Sequence, residues 1–260
     1  MKIVVLAKQV PDTWQTRTLD MDTGMVVRDG AAEPVPDEIS ERVMEVALAH
    51  RDAGAEAEIV ALTMGPEDAT KTLRKLLAMG ADSAVHVTDA ALAGSDAVQT
   101  ARVLAAALDR VGADLVLAGG LSTDGATGVV PAMVAELLDR PILPSVEALE
   151  ITEAEVRGVV VTDHARLTAA APLPAVATLT DRTPEPRFPN FKNIMAAKKK
   201  TIETLSLADL GLTAGPVEAD RRCVMVSAAA RPERQAGPKV VDDGTAAEQL
   251  VAFLAERRLV

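Results

Sequence analysis

Residues 96–118 read DAVQTARVLAAALDRVGADLVLA, and how they are read decides the fold. Apolar side chains recur at helical spacing through residues 96–111, with Asp96 or Ser95 placed to cap the helix. Gly112-Ala113-Asp114 interrupts that pattern, and the short apolar run 115–118 follows at once. A glycine just past a helix is the expected C-terminal cap, because it takes a positive φ without a Cβ clash. The same unit occurs twice upstream. Gly54-Ala55-Glu56 separates the helical pattern 40–53 from the run 57–62, and Gly80-Ala81-Asp82 separates 67–79 from 84–87. With Lys2–Leu6 as the opening strand, this alternation predicts a mostly parallel sheet with helices on both faces. The crevice outside the carboxyl ends of its strands is then the default ligand site.

Outward from this core the pattern changes. Residues 8–36 form a connection long enough to be functional rather than a plain link. Within it, 18–21 and 25–28 flank Asp22-Thr23-Gly24 as a small hairpin. The region 142–179 carries valine-rich runs at 159–162, 167–170 and 175–179 without strong helices between them, which predicts an antiparallel extension. Pro184, Pro186 and Pro189 exclude a regular helix or central strand there. A helical stretch over 193–200 follows, then residues 201–212. Beyond Gly215 the chain is polar up to a closing helix near 245–258. Such a tail adds little core and suits a partner. The expected division is a body over 1–190 and, over 191–260, a basic helix with a partner-embracing arm.

Composition narrows the function. The chain has 260 residues, 48% hydrophobic and 25% charged, as expected for a globular protein with a substantial core. Aromatics are 2% of the chain, so stacking platforms are scarce, and the net charge of −11 argues against nucleic acid as a partner. The single cysteine, Cys223, cannot close an internal disulfide, and Met1 lies directly before the first strand. No apolar run reaches the roughly 18 residues that span a bilayer. The expectation is a cytoplasmic bacterial protein that is not embedded in a membrane.

The densest chemical signal is residues 117–128, Leu117 to Gly128, directly after a buried strand. A loop of glycine and small hydroxyl residues running into a helix lets backbone N–H groups approach an anion, aided by the helix dipole. Ser122, Thr123 and Thr127 add hydroxyls, and Pro131 falls in the first helical turn. The pattern matches neither the P-loop nor the dinucleotide fingerprint, so glycines that merely turn the chain are the competing reading. Asp124 is awkward beside a phosphate and better suited to a ribose hydroxyl. Residues 37–41 open the first helix and read, on physical grounds alone, as an acidic cap. Lys8-Gln9-Val10-Pro11-Asp12 lies at the same sheet edge and reads as a solvated turn. Lys198-Lys199-Lys200 is either a solvated helix end or a contact for acidic surfaces. His50, His86 and His164 have no ligand spacing, and no nucleophile–base constellation is present.

Several segments together resemble the electron-transfer flavoprotein β-subunit family. They are Lys2–Lys8 with Val10-Pro11-Asp12, Met64-Gly65-Pro66, Leu77-Ala78-Met79-Gly80-Ala81-Asp82, Pro174-Ala175-Val176-Ala177-Thr178 and Glu185-Pro186-Arg187-Phe188. The block Asn193-Ile194-Met195-Ala196-Ala197-Lys198-Lys199-Lys200 completes them. The likeness runs from residue 1 to about 212. It implies a three-layer, doubly wound, adenine-nucleotide-hydrolase-like α/β fold with an antiparallel extension and a C-terminal arm. It also implies an α partner that holds most of the FAD, with structural AMP in β. By position, AMP would meet Leu6, Asp37, Glu38, Ile39, Ser40, Met64, Ala118, Gly119, Gly120, Leu121, Ser122, Thr123, Asp124, Gly125, Ala126 and Thr127. Thr13 and Ile39 fall where the family approaches the flavin. Glu185, Pro186, Arg187, Phe188, Phe191 and Lys192 match the loop that docks onto dehydrogenases, with Phe191 as its apolar anchor.

The implied function is an electron carrier without substrate turnover of its own. It would run between acyl-CoA or related dehydrogenases and a membrane quinone oxidoreductase. Two rivals stand beside it: a bifurcating or nitrogen-fixation-linked carrier with a second FAD in place of AMP, and a free-standing adenine-nucleotide-binding stress-type protein. The chain departs from the family in two places. Many members have Asn where Asp37 stands and an Asn-Gln pair before Thr127, where this chain has the shorter 124–126. An Arg and an acidic-Gly-Gly stretch near residue 160 are replaced by Val160 and Asp163-His164-Ala165.

Overall fold

A computed structural model describes residues 1–28, 33–212, 223, 225–237 and 239–260. The chain falls into two compact units, Met1–Val226 and Ser227–Val260. In the first, strands β1 (Lys2–Leu6), β4 (Glu58–Met64), β5 (Ser83–Val87), β6 (Leu115–Gly119), β7 (Ile142–Ile151), β8 (Glu155–Val161), β9 (Arg166–Pro172), β10 (Ala175–Leu179) and β11 (Ile202–Leu205) form one sheet. Their order is β11-β5-β4-β1-β6-β10-β7-β8-β9. Every pairing from β11 to β7 is parallel, and β7-β8-β9 is antiparallel. Two short strands, β2 (Gln9–Pro11) and β3 (Pro34–Pro36), pair antiparallel outside this sheet.

Alternation along each central strand divides the core in two. Ile3 and Val5 join Ile59, Ala61, Leu115 and Leu117 beneath helices α1 (Glu38–Asp52) and α2 (Thr70–Met79). Val4 joins Val60, Leu62, Val116 and Val176 against α3 (Ala97–Val111) and α4 (Val130–Leu137). Neighbouring side chains on a strand point to opposite faces, so a strand buried on both sides must be apolar at nearly every position. The α/β class read from the glycine punctuation is therefore the observed one: a mostly parallel sheet covered on both faces.

The differences lie in non-local pairing. Ala175–Leu179, expected in the antiparallel extension, sits between β6 and β7 and is parallel to both. All five of its residues are buried, the mark of a central parallel strand rather than a half-exposed one. The extension itself is β8, β9 and the far part of β7. Residues 201–212 contain β11, which pairs with β5 at the opposite edge. Helix α1 starts earlier than the apolar pattern suggests because Asp37 caps it, and residues 67–69 form a 3-10 turn ahead of α2. Helix α5 (Phe191–Ala197) also starts two residues early, capped by the Asn190 side chain, which accepts from Asn193 N–H.

The hairpin over 18–28 is present. Asp20 N–H donates to the Met25 carbonyl at 2.9 Å, Val27 N–H donates to that of Thr18 at 3.0 Å, and Gly24 turns at φ +68°. Residues 29–32 of the connection and 213–222 after the body, with Gly215 among them, lie outside the described residues. In the second unit, helix α6 (Ala246–Glu256) buries none of its side chains within that unit. Among the described residues, no helix is long and apolar enough to cross a membrane.

Two of the punctuating glycines separate backbone strain from packing. Gly112 turns at φ +73° with open space where a Cβ would stand. Gly80 turns at φ +145°, and a Cβ there would lie 2.9 Å from Leu48 Cδ2. Gly112→Ala should cost about 1 kcal/mol, the left-handed penalty alone. Gly80→Ala should cost about 2–4 kcal/mol, because a core leucine must also move. Urea denaturation of both variants gives the comparison, and equal costs would contradict it.

Candidate functional site

The chain runs from β1 outward to β4 and β5 on one side, and β6 begins the other, so strand order reverses between β1 and β6. Ligand crevices in such sheets open at this point, beyond the carboxyl ends of the strands. Leu6 ends β1, Met64 ends β4, and Ala118 with Gly119 ends β6. Most residues expected to meet the nucleotide are therefore gathered at one edge.

The amino terminus of α1 is fixed there by Asp37, whose residue is only 2% exposed. One carboxylate oxygen accepts from Ile39 N–H at 3.0 Å, as a helix cap does. The other accepts from Thr123 N–H at 2.7 Å and from the Thr123 hydroxyl at 2.9 Å. The cap reading thus accounts for one oxygen, and the other ties the helix to the loop after β6. Ser40 Oγ accepts from Lys8 N–H at 3.3 Å, and Glu38 points to solvent. Ile39 is buried: a Cβ on Gly119 would stand 2.9 Å from Ile39 Cγ2, so glycine at 119 permits this contact. Thr13 is exposed, in a turn where Asp12 accepts from Trp14 N–H at 3.0 Å.

Within the loop, Gly120 N–H donates to the Leu179 carbonyl at 2.8 Å, and Ala126 N–H donates to that of Ser122 at 2.9 Å. Ala126 and Gly128 both take positive φ, while Leu121 and Thr127 are exposed. Asp124 turns inward with a side chain 3% exposed. It accepts from Lys8 Nζ at 2.7 Å, Arg28 Nη2 at 3.1 Å and Gly125 N–H at 2.7 Å. Lys8 Nζ also reaches Ser122 Oγ at 3.2 Å, and the Arg17 guanidinium donates to the Thr123 carbonyl. Burial pushes the Asp124 carboxyl up, but the hydrogen bond and charge of Lys8, with Ser122 and Gly125, outweigh it and hold it at about 2.

Lys8 is therefore part of the site rather than of a solvated turn. Arg17 and Arg28 join it without any local sequence signal, since they meet the loop across 106 and 96 residues. Among the described residues, the N–H groups of Thr127 and Gly128 donate to no protein acceptor, and they lie just ahead of α4, which has Pro131 in its first turn. Successive free N–H groups at a helix start fit an anionic group such as a nucleotide phosphate.

A second cluster stands on the outward side of α1. Arg42 donates to the Thr183 carbonyl and to Glu185, both at 2.7 Å. Arg187 grips Glu45 with two guanidinium nitrogens, at 2.7 and 2.8 Å, and Asp52 with a third at 2.7 Å. Its backbone N–H adds a bond to Glu45 at 3.0 Å. Bidentate arginine–carboxylate pairs fix orientation as well as distance. The loop so held leaves Phe188 97% and Phe191 78% exposed, with Pro186 half-buried between the clamps and Lys192 exposed. The basic run is partly tied down as well: Lys200 donates to the Ala81 carbonyl, and Arg74 to those of Ala197 and Lys200.

Comparison with known proteins shows what the chain is similar to. The family described as "Electron transfer flavoprotein domain" matches residues 24–210. A Mycobacterium tuberculosis protein named electron transfer flavoprotein subunit beta is 43% identical over 99% of both chains. One of the same name from Bacillus subtilis is 33% identical over 98% of this chain and 97% of its own. A third relative, named caffeyl-CoA reductase-Etf complex subunit CarD, from Acetobacterium woodii, is 31% identical over the full length of both.

The Asp124 carboxyl is held at about 2, below its ordinary 3.8. Its contribution to stability is therefore complete above pH about 4 and is lost as the pH falls toward 2. Allowing for solvent around its partners, the contribution is about 1–2 kcal/mol. Between pH 5 and 2, wild type should lose that much more stability than Asp124→Asn in chemical denaturation. Parallel curves for the two proteins would contradict the ion cluster.

Proposed function

The chain belongs to the electron transfer flavoprotein β-subunit family, and from that premise we propose how it divides the work with its partner. Membership makes it an electron carrier rather than an enzyme with its own substrate, working in a flavin-containing complex with an α subunit. In the proposed division, α holds most of the FAD, which supplies the electron-accepting and electron-donating chemistry. The β chain binds AMP as a structural ligand and presents the surface that dehydrogenases recognise. Donors are acyl-CoA or related dehydrogenases, the acceptor is a quinone oxidoreductase, and the complex works in the bacterial cytoplasm.

The observation that carries this reading is the clamped loop. Two exposed phenylalanines on a segment fixed by five guanidinium contacts are costly for a chain that stays alone, and are suited to one that docks. AMP would lie at Leu6, Met64, residues 37–40 and residues 118–127. There the free N–H groups of Thr127 and Gly128 suit its phosphate and the loop hydroxyls suit its ribose. Residues 1–190 are proposed as the nucleotide-binding body and 191–260 as the partner-facing end. The exposed Leu250, Val251 and Phe253 of α6 support the latter. The CarD relative supports a second reading, in which a reductase-linked or bifurcating carrier holds a second FAD in place of AMP.

Co-purification with an α subunit tests both readings. One flavin per heterodimer, with AMP released on boiling, is the expected result. Two flavins select the second reading, and a colourless chain with no affinity for α overturns both. Phe191→Ala should slow reduction by the donor dehydrogenase about tenfold or more at unchanged flavin content. Stopped-flow kinetics measure this, and an unchanged rate removes the anchor role.

A further inference from the structure

We propose that Asp124 is a built-in counter-anion that holds down the affinity of this site for phosphate. The proposal rests on reading the loop after β6 as a nucleotide-phosphate site. Lys8 at the start of the long connection and Arg28 at the end of its hairpin converge on one carboxylate. That carboxylate is buried, whereas both cations stay half-exposed. Arg28 also donates to the Gln9 carbonyl and Lys8 to Ser122, and the exposed parts of both cations remain open to a second anion arriving from solvent at the same loop that carries the free donors of Thr127 and Gly128. A phosphate bound there gains from two cations and pays repulsion from the carboxylate behind them.

Part of the anchoring of the loop does not need this charge. An asparagine oxygen could accept from Gly125 N–H and Lys8 Nζ as one carboxylate oxygen does, while the bond from Arg28 to the other oxygen would be lost. What the aspartate adds is a full negative charge, and it stays ionised throughout the physiological range. Within a half-buried cluster, removing one like charge at such a range changes anion affinity by about tenfold or more. A residue acting only as a loop staple would affect the adenosine and phosphate parts of a ligand together. A counter-anion acts on the phosphate alone.

Titration calorimetry on the nucleotide-stripped full-length chain, wild type against Asp124→Asn, separates these roles with three probes: AMP, adenosine and inorganic phosphate. AMP and inorganic phosphate should bind Asp124→Asn about tenfold more tightly, while adenosine stays within about twofold. The gain should shrink as salt is raised, and adding Lys8→Gln to Asp124→Asn should reverse it. Thermal midpoints confirm that each variant is folded. AMP affinity that is unchanged, or that falls together with adenosine, overturns the proposal and leaves the nucleotide reading intact. Tighter phosphate binding by Asp124→Asn, with neither AMP nor adenosine bound, supports the counter-anion and removes the nucleotide reading. Loss of all three probes from both proteins removes both.

Discussion

The two oxygens of Asp37 tie together parts of the chain that the sheet alone would leave independent. A buried carboxylate is stable only when its lone pairs are taken up, and Asp37 is satisfied by Ile39 N–H on one side and by Thr123 on the other. The first bond starts α1. The second sets where the loop after β6 lies relative to that start. The glycine at 119 then lets Ile39 pack beneath the loop, so a hydrogen-bonded link and an apolar contact fix the same junction. Everything else at the sheet edge, from the cations around Asp124 to the free N–H groups before α4, is placed relative to it.

Much of this architecture can be read locally. Helices ending in glycine followed by short apolar runs are nearest-neighbour patterns, and they locate β4, β5, β6, α1, α2 and α3 to within a few residues. Strand order is another matter, because it depends on pairing between residues far apart. The valine-rich runs after residue 142 look alike in sequence, yet β8 and β9 extend the edge while β10 turns back into the centre. Only the burial of all five residues of β10 distinguishes it, and that follows from neighbours which the run itself does not name. The β11 run is hidden for the same reason, being four residues with two exposed.

At the site, residue type marked the loop but not its counterions. Gly119, Ser122, Thr123 and Thr127 stand out in sequence because small and hydroxyl residues cluster after a strand. Arg17 and Arg28 lie in a stretch whose pattern predicts only a hairpin, and the fold recruits them through the path of the connection. Asp37 was legible as a cap and not as a cross-link. Asp124 looked out of place beside a phosphate, and the structure supplies the reason for its presence: two cations already occupy it.

Helix α1 gives both proposed functional regions a common frame. Its N-terminal cap, Asp37, holds the loop after β6 through Thr123. One to four turns further along, Arg42, Glu45 and Asp52 hold the loop that carries Phe188 and Phe191. At 1.5 Å per residue, Asp37 and Glu45 are about 12 Å apart along a rigid rod that is packed into the core by Val43, Met44, Ala47 and Leu48. The separation of the loop that carries Phe188 and Phe191 from the sheet edge is therefore set by a buried helix rather than by the loops it holds. The docking role proposed above gains from that arrangement, because the loop is held in place before a partner arrives.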